Sequence, residues 1–295
     1  MTSEERQNLS VLHQYQPLFK EWIRISRPHY WFHLVAPVLF AILYGANSIE
    51  QVLTPISLWF VLYFFLPGNL FLYGINDMYD EETDEHNPRK RSEGGIEGKF
   101  NQRFETVIAI IGSGLLITTV IFFTTSVPVL LTIAAWIGIN ITYNMPPFRF
   151  KSVPLLDSIS NGVYILPGIA AYIAVSETIP PILAIVGFWI WTMGYHTLAA
   201  TADIKPDREA NIQTLATVLG KRLSLTYCGL TWLIAALALA EVYVYAGALF
   251  AVYPALVAIA VITDIDVQDL LYYIPIINLL VSIPIFVGGL WPLLS

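Results

Sequence analysis

The sequence predicts an all-α, polytopic membrane protein, and three observations predict it. Of 295 residues, 56% are hydrophobic and only 13% charged; the mean hydropathy is +0.63; and apolar runs long enough to cross a bilayer recur along the whole chain. A water-soluble chain of this size would lack the polar side chains to cover its surface, so most of its solvent is lipid. The high apolar content excludes disorder, the single cysteine (Cys228) excludes a disulfide scaffold, and a formal net charge of −7 argues against a nucleic-acid binder.

The first 28 residues carry Glu4, Glu5, Arg6, Lys20, Glu21, Arg24 and Arg27 without an apolar core, so no signal peptide is expected there and the first span is its own targeting signal. Leu12, Tyr15, Phe19 and Trp22, three or four residues apart, suit a short amphipathic helix on the membrane surface, which Pro17 would shorten or kink. Nine spans follow, at 29–48, 53–75, 104–125, 127–146, 156–176, 180–202, 223–240, 243–263 and 269–292. The run from Leu223 to Ile262 is broken only by Glu241 and can be divided differently. No linker interrupts residues 29–295, which are read as one domain behind the N-terminal segment 1–28.

Lys and Arg collect in short cytoplasmic loops. With the N-terminus inside, all 15 basic residues precede span one or follow spans two, four and six, whereas the opposite side carries Glu50, Glu177 and Glu241. That asymmetry places the N-terminus and both long loops, 76–103 and 203–222, in the cytoplasm. The two loops follow the second and sixth spans, as in a chain of two four-helix units plus a ninth helix.

Both loops open on acidic motifs. In Asn76-Asp77-Met78-Tyr79-Asp80-Glu81-Glu82-Thr83-Asp84, continuation of the helix would put Asn76, Asp80 and Asp84 on one face. In Asp203-Ile204-Lys205-Pro206-Asp207 two aspartates are again four apart, but Pro206 is expected to break the helix between them. Clustered carboxylates repel unless a cation is present, and hard oxygen donors suit Mg²⁺, which completes its octahedron with water and phosphate oxygens. A phosphate ester or diphosphate substrate follows, with Arg149, Lys151, Lys205 and Arg208 on the same side to hold its oxygens. Solvated acids at helix ends are the plain alternative for either motif alone.

At these residues the sequence resembles the UbiA superfamily of intramembrane prenyltransferases. Asn76, Asp77, Asp80 and Asp84 match its NDxxDxxxD, Asp203 and Asp207 its DxxxD, residues 143–151 its YxxPPxRxK, and Ser26-Arg27-Pro28 its segment ahead of helix one. Phe71-Leu72-Tyr73-Gly74-Ile75, His86-Asn87-Pro88 and the stretch from Ala202 to Ala210 are similar to its carotenoid branch, typified by lycopene elongase/hydratase. The resemblance implies nine helices around a central cavity, with Mg²⁺ held by Asn76, Asp80, Asp84, Asp203 and Asp207 and diphosphate held by Arg149 and Lys151. For the carotenoid branch it implies dimethylallyl diphosphate as donor and lycopene as acceptor.

Such a reaction breaks an allylic carbon–oxygen bond, so it needs positive charge at the leaving group and electron-rich walls around the carbocation. The acidic set Asp77, Asp80, Asp203 and Asp207 with its metal serves the first need; Tyr73, Tyr164, Trp191 and Tyr195 are candidates for the second, unless they only pack. His196 is a candidate base or water-orienting group. Asp157 and Asn161 either extend the polar site or, for Asp157, cap a helix. No Lys or Arg lies inside a predicted span, which favours an uncharged acceptor. Two other readings stand: a UbiA-type enzyme acting on a quinone precursor, tetrapyrrole or glycerol-phosphate lipid, and a cation-coupled transporter.

Overall fold

The computed structural model describes residues 16–84 and 103–295, without the side chains of residues 81–84. Leu12 and Tyr15 of the expected surface helix, His86-Asn87-Pro88 and the Asp84 side chain therefore lie outside the described residues. Among the described residues the structure is helical, with no strand. We label the longer helices α1 (residues 16–25), α2 (Trp31–Gly45), α3 (Pro55–Phe65), α4 (Pro67–Asp84), α5 (Phe104–Leu116), α6 (Val127–Asn144), α7 (Leu166–Ser176), α8 (Ile182–Ala202), α9 (Leu215–Val242), α10 (Val244–Phe250), α11 (Val252–Thr263) and α12 (Val267–Leu294).

Among the described residues, eight helical stretches are long and apolar enough to cross a membrane. The remaining expected span, α2, has 15 residues, about 22 Å of helix, and is preceded by the 3₁₀ turn Pro28–Tyr30. Several spans are jointed. Leu66 leaves helical geometry and Pro67, which has no N–H to give, starts α4. The third span tightens to 3₁₀ geometry over Ile117–Phe122, and the fifth is assembled from Leu156–Ile159, a 3₁₀ segment Ser160–Ile165 and α7.

From residue 16 to 25 the chain is helical, Pro17 included; the residues before it, on which the expected effect of Pro17 bears, lie outside the described residues. Two expectations are corrected. Helix α9 begins at Leu215, eight residues before the expected 223, because a Thr214–Thr217 capping box starts it and Lys221 and Arg222 ride on it beyond the apolar segment. A break in helical geometry at Gly220 (φ 73°) separates that first part from the rest. The second long loop is thus mostly helix.

In lipid, helices associate through close packing rather than hydrophobic burial. Large rings make one core cluster in the first half, where Phe64 meets Trp136 edge-on at 5.2 Å, and another in the second, where Trp232 meets Tyr253 at 5.2 Å. The first cluster draws on α2 to α7 and the second on α8 to α12, so the core divides after the fifth span rather than the fourth. The first and last spans meet: Tyr44 on α2 donates to the Ile285 carbonyl of α12 at 3.0 Å. Helix α1 is docked rather than loose, with Ile25 and Trp22 packed against Leu70 of α4 and Ile110 of α5.

Candidate active site

Helix α4 does continue through the first motif, so Asn76 and Asp80 lie one turn apart on one face. The Lys151 ammonium sits 2.6 Å from Asp80 Oδ1, and Arg149 Nη2 is 3.8 Å from the same oxygen. Asn144, at the end of α6, ties the group together: its Oδ1 accepts from Asn76 Nδ2 at 2.9 Å and from Lys151 Nζ at 3.2 Å. Asn144 falls within the 143–151 motif, which gives it no role of its own; its place one turn after Asn140 on a largely apolar helix is the signal that points to it.

Asp77 faces elsewhere. Its carboxylate accepts from Arg27 Nη2 at 2.7 Å in a buried pair, and the same guanidinium lies 4.9 Å above the Tyr73 ring. Arg27 and Arg149 are both non-glycine residues in the left-handed region (φ 52° and 39°), a conformation costing about 1–3 kcal/mol that tends to persist where a site demands it. Each reaches an aspartate of the first motif.

The second motif starts at Asp203, the residue closing α8, and continues directly into the short helix Ile204–Glu209. Pro206 falls in the first turn of that helix, where it displaces no helical hydrogen bond, and Asp207 N donates to the Asp203 carbonyl at 2.9 Å. The break falls at Asp203 itself, three residues before Pro206, rather than between the two aspartates, which stay one turn apart. Of the bases expected beside them, Lys205 is exposed and Arg208 donates to the Thr217 carbonyl of α9 at 2.6 Å. The turn that follows, Ala210 to Gln213, lines a cavity of about 310 Å³ together with Arg149 and Ser152. Arg149 therefore links the first motif to the segment after the second, and both open at one end of the bundle.

Behind this mouth, Asp157 is fully buried and accepts the Leu215 N–H at 3.0 Å. It sits inside the helix Leu156–Ile159 and so caps α9, not its own helix. His196 Nε2 is 3.8 Å from the same carboxylate, and the Tyr143 ring stands edge-on to His196 at 6.4 Å. Asn161 turns back to the Asp157 carbonyl at 2.6 Å.

The four expected aromatic residues are joined in one network. Trp191 stacks on Tyr195 at 5.6 Å, and the Tyr73 and Tyr164 hydroxyls lie within hydrogen-bonding reach. Two residues absent from the expectation connect them: His33 contacts Tyr195 at 5.7 Å and Tyr164 at 6.3 Å, and Tyr30 contacts His33 at 5.0 Å and Tyr73 at 5.9 Å. An ionisable residue inside a predicted span was the signal that would have found His33.

Among the described residues no three His, Cys, Asp or Glu side chains converge closely enough to hold a metal by themselves. The donor set still fits Mg²⁺, which commonly takes one or two protein carboxylates and relies on water and substrate phosphates for the rest. Asp80 already has a cationic partner in Lys151, and Asn76 offers a neighbouring amide.

An apolar helical bundle with acidic motifs, bases and an aromatic lining at one end defines an intramembrane enzyme for charged-headed, apolar-tailed substrates. Residues 34–269 match the model of the UbiA prenyltransferase family, and the chain belongs to that family. It is 43% identical over 274 residues to the lycopene elongase/hydratase of Haloferax volcanii, covering 92% of this chain and 89% of that one. To the lycopene elongase/hydratase of Halobacterium salinarum it is 40% identical over 276 residues, covering 93% and 98%. A UbiA homolog from Archaeoglobus fulgidus, solved bound to DMAPP and Mg²⁺, superposes with a TM-score of 0.74 at 18% identity, covering 92% of this chain and 99% of that one. The protein is a membrane prenyltransferase of this family.

Proposed function

We propose that the chain transfers a dimethylallyl group from its diphosphate to lycopene, with hydration of the product, as a step toward C50 carotenoids. The names of its relatives support the acceptor, and the A. fulgidus complex supports the donor and the metal. The observation that carries the reading is the convergence of Lys151, Arg149 and Asn144 on Asn76 and Asp80, with Arg149 also facing the turn after the second motif. We assign residues 29–295 to one catalytic domain, and the N-terminus and both motif loops to the cytoplasm on the distribution of Lys and Arg.

Mg²⁺ held by Asn76, Asp80, Asp84, Asp203 and Asp207 would neutralise charge on the diphosphate as it departs. Lys151 and Arg149 donate to the same oxygens, so the carbon–oxygen bond breaks toward a stabilised anion. Arg27 holds Asp77 and Tyr73 in place at the start of the lining. Tyr73, Tyr164, Trp191 and Tyr195 present electron-rich faces to the allylic cation and keep bulk water away from it. A terminal double bond of lycopene then attacks that cation, moving positive charge onto a tertiary carbon of the acceptor. His196, oriented by Asp157, stands nearest the motifs and is placed to hold a proton there.

Pigment extraction from lycopene-producing cells tests the reading. Expression should convert lycopene into C45 and C50 carotenoids; unchanged lycopene beside folded, membrane-inserted protein would refute it.

A further inference from the structure

One ionisable side chain in the spanning part of the bundle has no role so far. His33 lies in the first turn of α2, with the rings of Tyr30, Tyr195 and Tyr164 at 5.0, 5.7 and 6.3 Å. These three rings come from the approach to α2, from α8 and from the fifth span, so His33 stands where the two halves of the molecule meet. His33, Tyr30, Tyr164, Trp191 and Tyr195 are all partly buried and keep some accessible surface. A neutral imidazole carries a donor N–H on one ring nitrogen and a lone pair on the other.

The reaction proposed above ends with a tertiary carbocation inside this lining. Aromatic faces stabilise a cation without taking a proton, and phenols are poor bases, so the lining needs one basic group if water is to be captured. His196 is turned toward Asp157 and Tyr143, on the side of the acidic motifs. Its neighbour Tyr195 contacts His33, placing the second imidazole among the rings that face the cation.

We propose that His33 is the base of the hydration step. A water molecule beside the imidazole forms a carbon–oxygen bond to the tertiary carbon, and its surplus proton passes to the ring nitrogen that carries the lone pair. The resulting imidazolium returns that proton to the departing diphosphate or to solvent. One allylic diphosphate, one alkene and one water thus give a tertiary alcohol, diphosphate and a proton, with no change of oxidation state. Without that base, a neighbouring C–H proton passes from the cation to the departing diphosphate and the product ends as an alkene. This inference rests on the carotenoid reading of the substrate.

The test is product analysis of His33→Phe, which keeps a ring, and His33→Gln, which keeps a polar group, with diphosphate release measured in parallel. A positioned base contributes at least about 100-fold to a neutral attack, and a reactive cation needs less help. The hydroxylated share of elongated product should therefore fall about 10-fold in both variants, whatever the total turnover, with the unhydroxylated alkene replacing it. A share unchanged within about twofold overturns the assignment. So does loss of all elongated product from both variants while they remain folded in the membrane, since His33 would then serve transfer itself. An unhydroxylated product from the unmodified protein overturns the hydration role and leaves the transferase reading standing; no elongated product from it removes that reading instead.

Discussion

Lys151 and Asp80 meet at 2.6 Å across the junction of two helices, α4 and the turn after α6, and both are largely shielded from solvent. An ion pair with that geometry holds an acidic residue and a base aimed at the same point. Substituting Lys151→Met should lower kcat/KM for the allylic diphosphate by about 10- to 100-fold, the range of a charge-assisted hydrogen bond. Lys151→Arg should recover part of the loss. Steady-state kinetics on purified protein check both; wild-type kinetics for Lys151→Met would remove Lys151 from the site.

Arg27 and Asp77 form a second buried pair, 50 residues apart in sequence. Removing one partner of such a pair costs about 3–5 kcal/mol, because the other charge stays behind. Arg27→Met and Asp77→Leu should each lower the unfolding temperature in detergent, and the double variant should recover some of the sum, with a coupling of at least about 1 kcal/mol. Strict additivity would show that the contact does not matter to stability.

Close helix packing gives a contrast between two glycines. A methyl group at Gly194 on α8 would come within 2.6 Å of Thr231 Oγ1 and 2.7 Å of Trp232 Nε1, whereas one at Gly112 on α5 would meet nothing within 4 Å. Gly194→Ala should destabilise the protein by about 1–3 kcal/mol, and Gly112→Ala should be neutral or stabilise the helix by up to about 1 kcal/mol. Thermal unfolding of both variants under one detergent condition reads the difference, and equal effects would contradict the packing of α8 on α9.

Metal dependence follows from the donor chemistry. EDTA should abolish diphosphate release and added Mg²⁺ should restore it, since carboxylates facing a diphosphate need a cation between them. Activity indifferent to chelation would mean that Lys151 and Arg149 alone carry the leaving-group charge.

How far the sequence could be read depended on the kind of signal. Spans were legible because lipid demands long apolar runs, and the acidic face of α4 because a four-residue spacing is local. Pro206 announced a break but not its place, because a proline sits comfortably in the first turn of a new helix and the break therefore falls ahead of it, at Asp203. The start of α9 misled because Lys221 and Arg222 mark the edge of the apolar run, not the end of hydrogen bonding. The bond of Asn144 to Asn76, the pairing of Arg27 with Asp77 and the choice of α9 as the helix that Asp157 caps were out of reach for a different reason: each joins residues 50 or more positions apart. His33 was visible as an ionisable residue within a span, yet its meaning came only from the rings that the fold gathers around it.

The central claim is that aspartates from the two halves act as one unit on a single diphosphate. The most direct measurement is Mg²⁺-dependent diphosphate release from dimethylallyl diphosphate with lycopene, by Asp80→Ala, Asp203→Ala and the double variant, all folded and membrane-inserted. Groups acting together are strongly non-additive, so each single substitution should fall to nearly the floor of the double. Substantial activity in either single variant, or losses that simply multiply in the double, would contradict the account.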